Sequence, residues 1–574
     1  MSFVNFNVLD YGADPSGATD SYQSFQDWAH AITAAGGGVG LVPPGTYNIC
    51  QVVNLDAFGV YHADIRNFVF DRCNGLRLVG YGATINLKGD ILKTRDYTQN
   101  NNVYYANLKM VGFVIQNCDN VSIAGFNING NANLVTEDSD STHTFAEGGD
   151  SILSVCGSRN VTIRNMRVHH GWTDGISVRR TYPIAPSTVG IGCQQVVIEN
   201  CEVYANARCN IAGHELRHMR ISDCRLHHGG LTGGVIAYSP ACNIDIEPDP
   251  VKTDLSPADW SVDTGTPSSL RFIILENCEF VDSNLSNVLI NVRFSHFVVR
   301  GCFFNNSSNN QQPCVFSVPH CSIQDSEIDT STGRIDVAIT GTLPGIPGGN
   351  VFTMERCLIR ATSGEGLFII AQVGRIAQAL IANCRFICEA TSPTTKYFPY
   401  MATGQDMLML TFRDNYTFIP SASYSGSSQK ICSTVAVSLA ENNVWETDYA
   451  GGGVNFLGVY YHTDASVYPR HPILVRNERF ISPDGTGIRA ADASDHDNNF
   501  PFSGGISAIG DEINLGKQRI KYGGALAPTS GSFSQGDLIF NNDVHACESM
   551  GWVCVTGGTA GVDAVFKAMP LLEA

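Results

Sequence analysis

The sequence predicts an all-β solenoid, in which short strands wind into stacked coils. Three observations predict it. The composition is rich in glycine and poor in charge, a cysteine-centred motif recurs at a nearly constant step, and apolar and polar residues alternate with period two inside each copy.

Glycine contributes 57 of 574 residues and charged residues only 16%, the balance of a chain of turns and strands rather than solvated helices. A hydrophobic fraction of 43% suffices for a large core. The length would allow three or four domains, but long all-β solenoids run this far as one. A net charge of −18 argues against a nucleic-acid partner, because phosphate binding needs a basic footprint. It disfavours anionic membranes for the same reason, and no apolar run reaches the length of a membrane span. The opening "MSFVNFNVLD" has neither the basic start nor the long apolar stretch of a signal peptide. The expectation is a product made in a cytoplasm that reaches the outside by lysis or as part of a particle.

The repeat is visible in "VTIRNMRV" (161–168), "VVIENCEV" (196–203), "MRISDCRL" (219–226), "FIILENCEF" (272–280), "FVVRGCFF" (297–304), "SIQDSEI" (322–328), "TMERCLI" (353–359) and "LIANCRFI" (380–387). The markers are Met166, Cys201, Cys224, Cys278, Cys302, Ser326, Cys357 and Cys384, at steps of 35, 23, 54, 24, 24, 31 and 27. The step of 54 reads as two coils. Looser matches extend forward through Asn415, Asn442 and Glu478, and back to Phe126 and Tyr81. One coil cannot bury its own apolar face, so it must stack on its neighbours. The marker cysteines are then small inward core residues, one per coil. The odd total of 19, with no signal peptide and no CxxC pair, speaks against a disulfide scaffold or a zinc site. The larger steps mean loops inserted at one corner, where binding surfaces are usually built.

At the N-terminus, residues 6–49 read as strand, turn, helix, glycine stop, strand. Asp20 or Ser21 can cap the helix, Phe25, Trp28 and Ile32 share one of its faces, and Gly36–Gly38 ends it. Such a helix would cover the open end of the solenoid and its strand edges. The string "VLDYGADPSGATDSYQSFQDWAHAITAAGGGVGLVPPGTY" resembles the opening of the pectate-lyase-like superfamily, and within it the phage tailspike polysaccharide depolymerases. The resemblance spans roughly residues 4–500. It implies a right-handed parallel β-helix, a polysaccharide substrate, a homotrimer and an association with phage tail components, in the virion or released outside the cell. It is specific for fold and weak for chemistry, because the superfamily holds lyases, hydrolases, epimerases and fructotransferases.

From about Gly516 the pattern changes to short strands with tight turns, resembling small β-modules appended to tail proteins and sugar-binding modules. The organisation expected is therefore a cap over 1–50, a parallel β-helix with inserted loops over 51–515 and a small β-module over 516–574. Trp552 and Tyr522 are candidates for sugar stacking or a trimer interface, and Cys547 and Cys554 are close enough in sequence to pair.

The chemistry is sought in "NIDIEPDP" (243–250), where Asp245, Glu247 and Asp249 alternate with Ile244, Ile246 and Pro248. Aligning the coils on Ile176, Ile211 and Ile244 superposes Ser177, Ala212 and Asp245, and then Arg179, His214 and Glu247. Adjacent strands lie about 4.8 Å apart, so Arg179, His214 and Glu247 form a column on the outer face, with Asp245 about 6–7 Å along the strand. Asn291 and Arg293 extend this patch on the next coil. Two carboxylates on one exposed face are what glycoside hydrolysis needs, and an i, i+2 spacing favours the wider separation of inverting enzymes. Like charges also push their pKa values apart. Glu247 and Asp245 are the candidate acid/base pair, with Asp174 as a further carboxylate and Asp150 repeating its place one coil earlier.

Arg179, His214, Arg217, Asp249, Trp172 and Tyr238 are candidate substrate contacts, with Trp260 on the same loops. Each has a structural alternative, as a solvated rim, a turn cap or local packing. His169–His170 and His227–His228 occupy equivalent places, but no carboxylate stands at a spacing that completes a site, so no metal and no cofactor are expected. The leading reading is hydrolysis of a bacterial surface or extracellular polysaccharide. Its rivals are a polysaccharide lyase, with Arg179, His214 and Tyr238 serving base and carboxylate neutralisation, a non-catalytic glycan-binding spike, and an intramolecular transglycosylase.

Overall fold

The computed structural model describes residues 4–49, 68–87, 94–99, 102–106, 112–134, 151–179, 192–214, 216–231, 241–247, 271–284, 286–291, 295–305, 314–317, 320–329, 334–339, 350–361, 366–371, 377–388, 408–419, 437–447, 474–476, 479–481, 512–515, 518–523, 527, 532–533, 535, 537–541 and 551–568. The chain divides into two compact units, 1–360 and 361–574.

In the first unit, successive strands are dealt in turn to three parallel sheets, so that each coil adds one rung to each. One coil runs Arg159–Arg164 in the first sheet, Arg167–His169 in the second and Asp174–Arg179 in the third, and returns to the first at Gln194–Glu199. Like stacks on like: Val161 pairs with Val196, Ile163 with Ile198, and Val168 with Val203. This is the right-handed parallel β-helix expected, its hand being that of nearly all crossovers between parallel strands. The core is the inward file of these alternating residues, with Val161, Ile163, Val168, Ile198 and Val203 all at 0% exposure.

The repeat motif has a local cause. The residue before each marker turns the chain between first and second sheets and takes a left-handed φ of 50–54° at Asn165, Asn200, Asp223, Asn277 and Asp325. Asn and Asp tolerate that region better than other side-chain-bearing residues, which explains "ENC" and "SDC". The marker is buried and does more than fill space. The Cys201 N–H donates to Cys224 Sγ at 3.4 Å, and the Cys302 N–H donates to Ser326 Oγ at 3.1 Å. A small side chain with an acceptor therefore satisfies a backbone donor of the coil before it, which is why Ser can replace Cys. A second inward file, Cys73, Cys118 and Ser158, does the same where the third sheet returns to the first: Cys73 N–H to Cys118 Sγ at 3.3 Å and Cys118 N–H to Ser158 Oγ at 3.0 Å.

Three details of the expected ladder are corrected. The step of 54 is one coil, because Met219 pairs directly with Ile273 and Leu226 with Phe280; the extra length lies on either side of the third-sheet strand Cys242–Glu247. Tyr81 is 51% exposed, and the inward place belongs to Ala83. Asn443, not Asn442, is the marker after Asn415, since Asn415 N–H donates to Asn443 Oδ1 at 2.9 Å. Glu478 lies outside the described residues. The long steps do share one corner: residues 180–191, 248–270 and 340–349 each follow a third-sheet strand and precede a first-sheet strand.

The helix spans Tyr22–Ala34 and buries Phe25, Trp28 and Ile32 at 0% exposure. Asp20 Oδ1 accepts the Tyr22 N–H at 3.0 Å, while the Ser21 hydroxyl is engaged by the Asp14 N–H. The helix ends in a Schellman motif: Gly36, at φ +73°, donates to Thr33 and Gly37 donates to Ile32. Phe25 packs edge-on to Tyr47 and against Phe68, and Trp28 meets Phe70 at 87°.

In the second unit, Ala377–Ala382, Leu408–Arg413, Val437–Glu441 and Leu474–Arg476 continue the parallel stacking pattern among themselves. A separate five-stranded sheet is built from Glu512–Leu515, Gln518–Gly523, Leu538–Asn541, Gly551–Thr556 and Val565–Ala568. Trp552 is half-buried against a cluster of Phe533, Ile539, Cys554 and Ala560. The Cys554 thiol is buried and donates to the Thr556 carbonyl at 3.0 Å, and Cys547 lies outside the described residues.

Candidate functional site

The third sheet stacks Ser151–Cys156, Asp174–Arg179, Cys209–His214, Cys242–Glu247 and Ser286–Asn291. Its register agrees with the alignment read from the sequence. Ile176 pairs with Ile211 and Ile211 with Ile244; Ser177, Ala212 and Asp245 form the next file. His214 pairs with Glu247, and Arg179 follows Val178, which pairs with Gly213. Alternation places Ile244 and Ile246 on the core side and Asp245 on the opposite face; Glu247 is two residues further along the same strand, its Cα roughly 6.6 Å from that of Asp245.

This face departs from expectation in its burial. The sequence predicts an exposed face, but Asp245 is 1% exposed, Asp174 2% and Ser177 3%. Strand alternation tells which face a residue takes and says nothing of what packs over that face.

The carboxylate of Asp174 is held on both oxygens. Arg208 Nε donates to Oδ1 at 2.8 Å and a terminal guanidinium nitrogen donates to Oδ2 at 2.9 Å, a bidentate pair. Burial opposes the Arg208 charge. The carboxylate of Asp174, the neighbouring Cys209 sulfur, the hydrogen bonds to Asp174 and the carboxylate of Asp245 outweigh it, and they hold its pKa well above the ordinary value. Arg208 thus stands as a fixed cation between two acids two coils apart. Sequence reading missed it, because it lies in a turn where no periodicity marks it.

A ladder of buried asparagines positions that turn. Asn206 Nδ2 donates to Asn210 Oδ1 at 2.7 Å, Asn210 Nδ2 to Asn243 Oδ1 at 2.6 Å, and Asn243 Nδ2 to Asn287 Oδ1 at 2.7 Å. Their amides also donate to carbonyls of second-sheet strands, as Asn210 does to His227 and Asn287 to Asn305. Arg208 sits between two of these residues, so the ladder sets its approach to Asp174. A signal was present in the sequence: "CNI" at 209–211, "CNI" at 242–244 and "SNV" at 286–288 recur at the start of each strand.

The other candidates are distributed as follows. Arg179 and His214 are partly exposed and lie level on neighbouring strands, and Arg217 is exposed at the corner where the chain returns to the first sheet. Trp172 is not a sugar platform: it is 3% exposed and its indole donates to the Gly130 carbonyl at 3.1 Å. The residue in register with Asp174 on the preceding coil is Ser151. Asp150, Tyr238, Asp249, Trp260 and Arg293 lie outside the described residues.

The histidine pairs are at equivalent turns of the second sheet. Nδ1 atoms are 2.7 Å apart in both His169–His170 and His227–His228, so each pair shares one proton. His169, Tyr204 and His227 stack at 4.7 Å per step. Burial, then the charges of His170 and Arg167, push the His169 pKa down to about 3. Among the described residues no group of three or more His, Cys, Asp or Glu is arranged to hold a metal ion.

No family model matches the chain, and no curated protein is similar to it in sequence. Solved structures are similar at low identity. A tailspike protein of E. coli bacteriophage HK620, in complex with a pentasaccharide, has 8% identity and a TM-score of 0.46, over 99% of this chain and 94% of that one. PfbA, a surface adhesin of Streptococcus pneumoniae, has 12% identity and a TM-score of 0.41, over 86% and 93%. The catalytic unit of a thermostable GH87 alpha-1,3-glucanase from Streptomyces thermodiastaticus has 13% identity and a TM-score of 0.38, over 85% and 71%.

Proposed function

We propose that the protein is an endo-acting glycoside hydrolase that cleaves a bacterial surface or extracellular polysaccharide, working as a homotrimeric, tailspike-like depolymerase in the virion or after release. The observation that carries this reading is the pair Asp245 and Glu247, two residues apart on a third-sheet strand, with His214 in backbone register with Glu247. Inverting hydrolases separate their carboxyls by about 6.5–9.5 Å to admit a water, and the i, i+2 spacing of a strand favours that wider kind of separation.

Glu247 is assigned the proton to the glycosidic oxygen. Asp245, with the Arg208 cation as neighbour, is assigned the carboxylate that activates water. Asp174 is a positioning residue, because both its oxygens are engaged by Arg208. Arg179, His214 and Arg217 supply donors for sugar hydroxyls or an acidic substituent.

The test is incubation of the protein with a panel of bacterial capsular and exopolysaccharides, followed by reducing-end and ultraviolet assays. Hydrolysis raises reducing ends without a new absorbance, and Glu247→Gln or Asp245→Asn lowers the rate by about 10²–10⁴-fold. An unsaturated product would assign the site to a lyase. Binding without cleavage would make the protein a glycan-binding spike.

A further inference from the structure

We propose that Cys209 and Cys242 are a redox-active pair that closes into a disulfide between two adjacent coils when the folded protein meets a peroxide. The two residues are directly opposite each other on neighbouring parallel strands. Strand spacing puts their Cα atoms about 4.8 Å apart, inside the roughly 4.4–6.8 Å that disulfides span. Their sulfur atoms lie 3.5 Å apart.

These thiols differ from the inward files. Cys224 and Cys278 each donate to a carbonyl of their own coil, Ser222 and Glu276, at 3.2 Å, and Cys224 also accepts the backbone N–H of Cys201. Their sulfurs serve the backbone. Cys209 and Cys242 instead pack with Ala212 and Leu289 in a small cluster of their own, and among the described residues the hydrogen bond of each sulfur is to the other. They also adjoin a cation. Burial raises both thiol pKa values, the Asp245 carboxylate adds to that rise, and the Arg208 guanidinium opposes it at each. Cys209, which directly follows Arg208 in the chain, is assigned the attacking sulfur.

The chemistry balances with hydrogen peroxide as the oxidant. The Cys209 thiolate attacks one peroxide oxygen, the O–O bond breaks, and a sulfenic acid forms with release of one water. Cys242 then attacks the Cys209 sulfur, the S–O bond breaks, and the S–S bond forms with release of a second water. Two thiols lose two electrons and two protons, and the peroxide is reduced to two waters. The bond would staple the strand that follows Arg208 to the strand that carries Asp245. The inference does not depend on the hydrolase reading.

The test treats the folded, full-length protein with hydrogen peroxide, blocks remaining thiols after unfolding, and maps non-reduced peptides by mass spectrometry. The expected result is a linkage joining the Cys209 and Cys242 peptides, removed by a reductant, with Cys201, Cys224, Cys278 and Cys302 still blocked as thiols. In Cys242→Ala, Cys209 is expected to be trapped as a sulfenic acid by a 1,3-dione probe. The proposal is overturned if Cys209 and Cys242 stay alkylatable to the same extent as in untreated protein, or if linkages form only within the inward files. The wild-type map decides the matter even if the variant fails to fold.

Discussion

Asp174→Asn removes the charge, but little of the volume, of the partner of a buried arginine. The side chains of Arg208 and Asp174 are 13% and 3% exposed and meet through two hydrogen bonds. With charge centres about 4 Å apart and an effective dielectric constant near 20, the attraction is about 4 kcal/mol. Breaking a buried pair typically costs about 3–5 kcal/mol. Arg208 keeps the field of Asp245, so the lower end, about 3 kcal/mol, is expected for the single substitution. The assay is chemical denaturation, with a lowered midpoint and an unchanged slope. Adding Asp245→Asn should destabilise by more than the sum of the singles, because the two acids share one cation and repel each other. Asp174→Leu with Arg208→Met should recover most of the loss when Asp245→Asn is also present, since without Arg208 the buried Asp245 carboxylate loses its cation. A loss below about 1 kcal/mol for Asp174→Asn, the value of an exposed pair, would refute a dry ion pair at this site.

Acidification tests the second sheet. His169 has its folded pKa depressed to about 3 from an ordinary 6.5, so between those values the unfolded chain takes up a proton that the folded chain refuses. Stability then falls as pH falls through this window, by at most about 1.4 kcal/mol per pH unit. His169→Asn, the residue at this place on the preceding coil (Asn129), should flatten the stability curve between about pH 4 and 6; an unchanged slope would contradict the assignment. In the marker file, Cys224→Ser should stay within about 1 kcal/mol of wild type, while Cys224→Val leaves the Cys201 N–H unsatisfied and costs about 1–3 kcal/mol. Equal losses in urea denaturation would reduce the marker to a space filler.

The fold was legible because each coil repeats the same local problem. An Asn or Asp in a left-handed turn, then a small acceptor, then an apolar residue marks one bend, and the bend recurs. The register of Ile176, Ile211 and Ile244 was legible for a similar reason, since a slip by one residue would turn every acid inward. Counting coils failed at the step of 54, where spacing cannot distinguish an insertion from an extra coil and only the strand pairing does. The role of the cysteines was half legible: burial followed from the pattern, whereas acceptance of a backbone N–H depends on contact between coils. Arg208 was invisible for the opposite reason, since its importance comes from Asp174 on the preceding coil, 34 residues away. Trp172 misled because an aromatic beside a turn has the same sequence signature whether it packs inward or stands in solvent.

In the proposed hydrolysis, water activated beside Asp245 and Glu247 adds across a glycosidic bond. The most direct measurement is mass spectrometry of the products from a polysaccharide that the protein cleaves, made in water enriched in heavy oxygen. Hydrolysis gives one heavy oxygen at each new reducing end and no unsaturated sugar, and Glu247→Gln loses both products and label. Unlabelled products carrying a double bond, or full cleavage by Glu247→Gln, would contradict it.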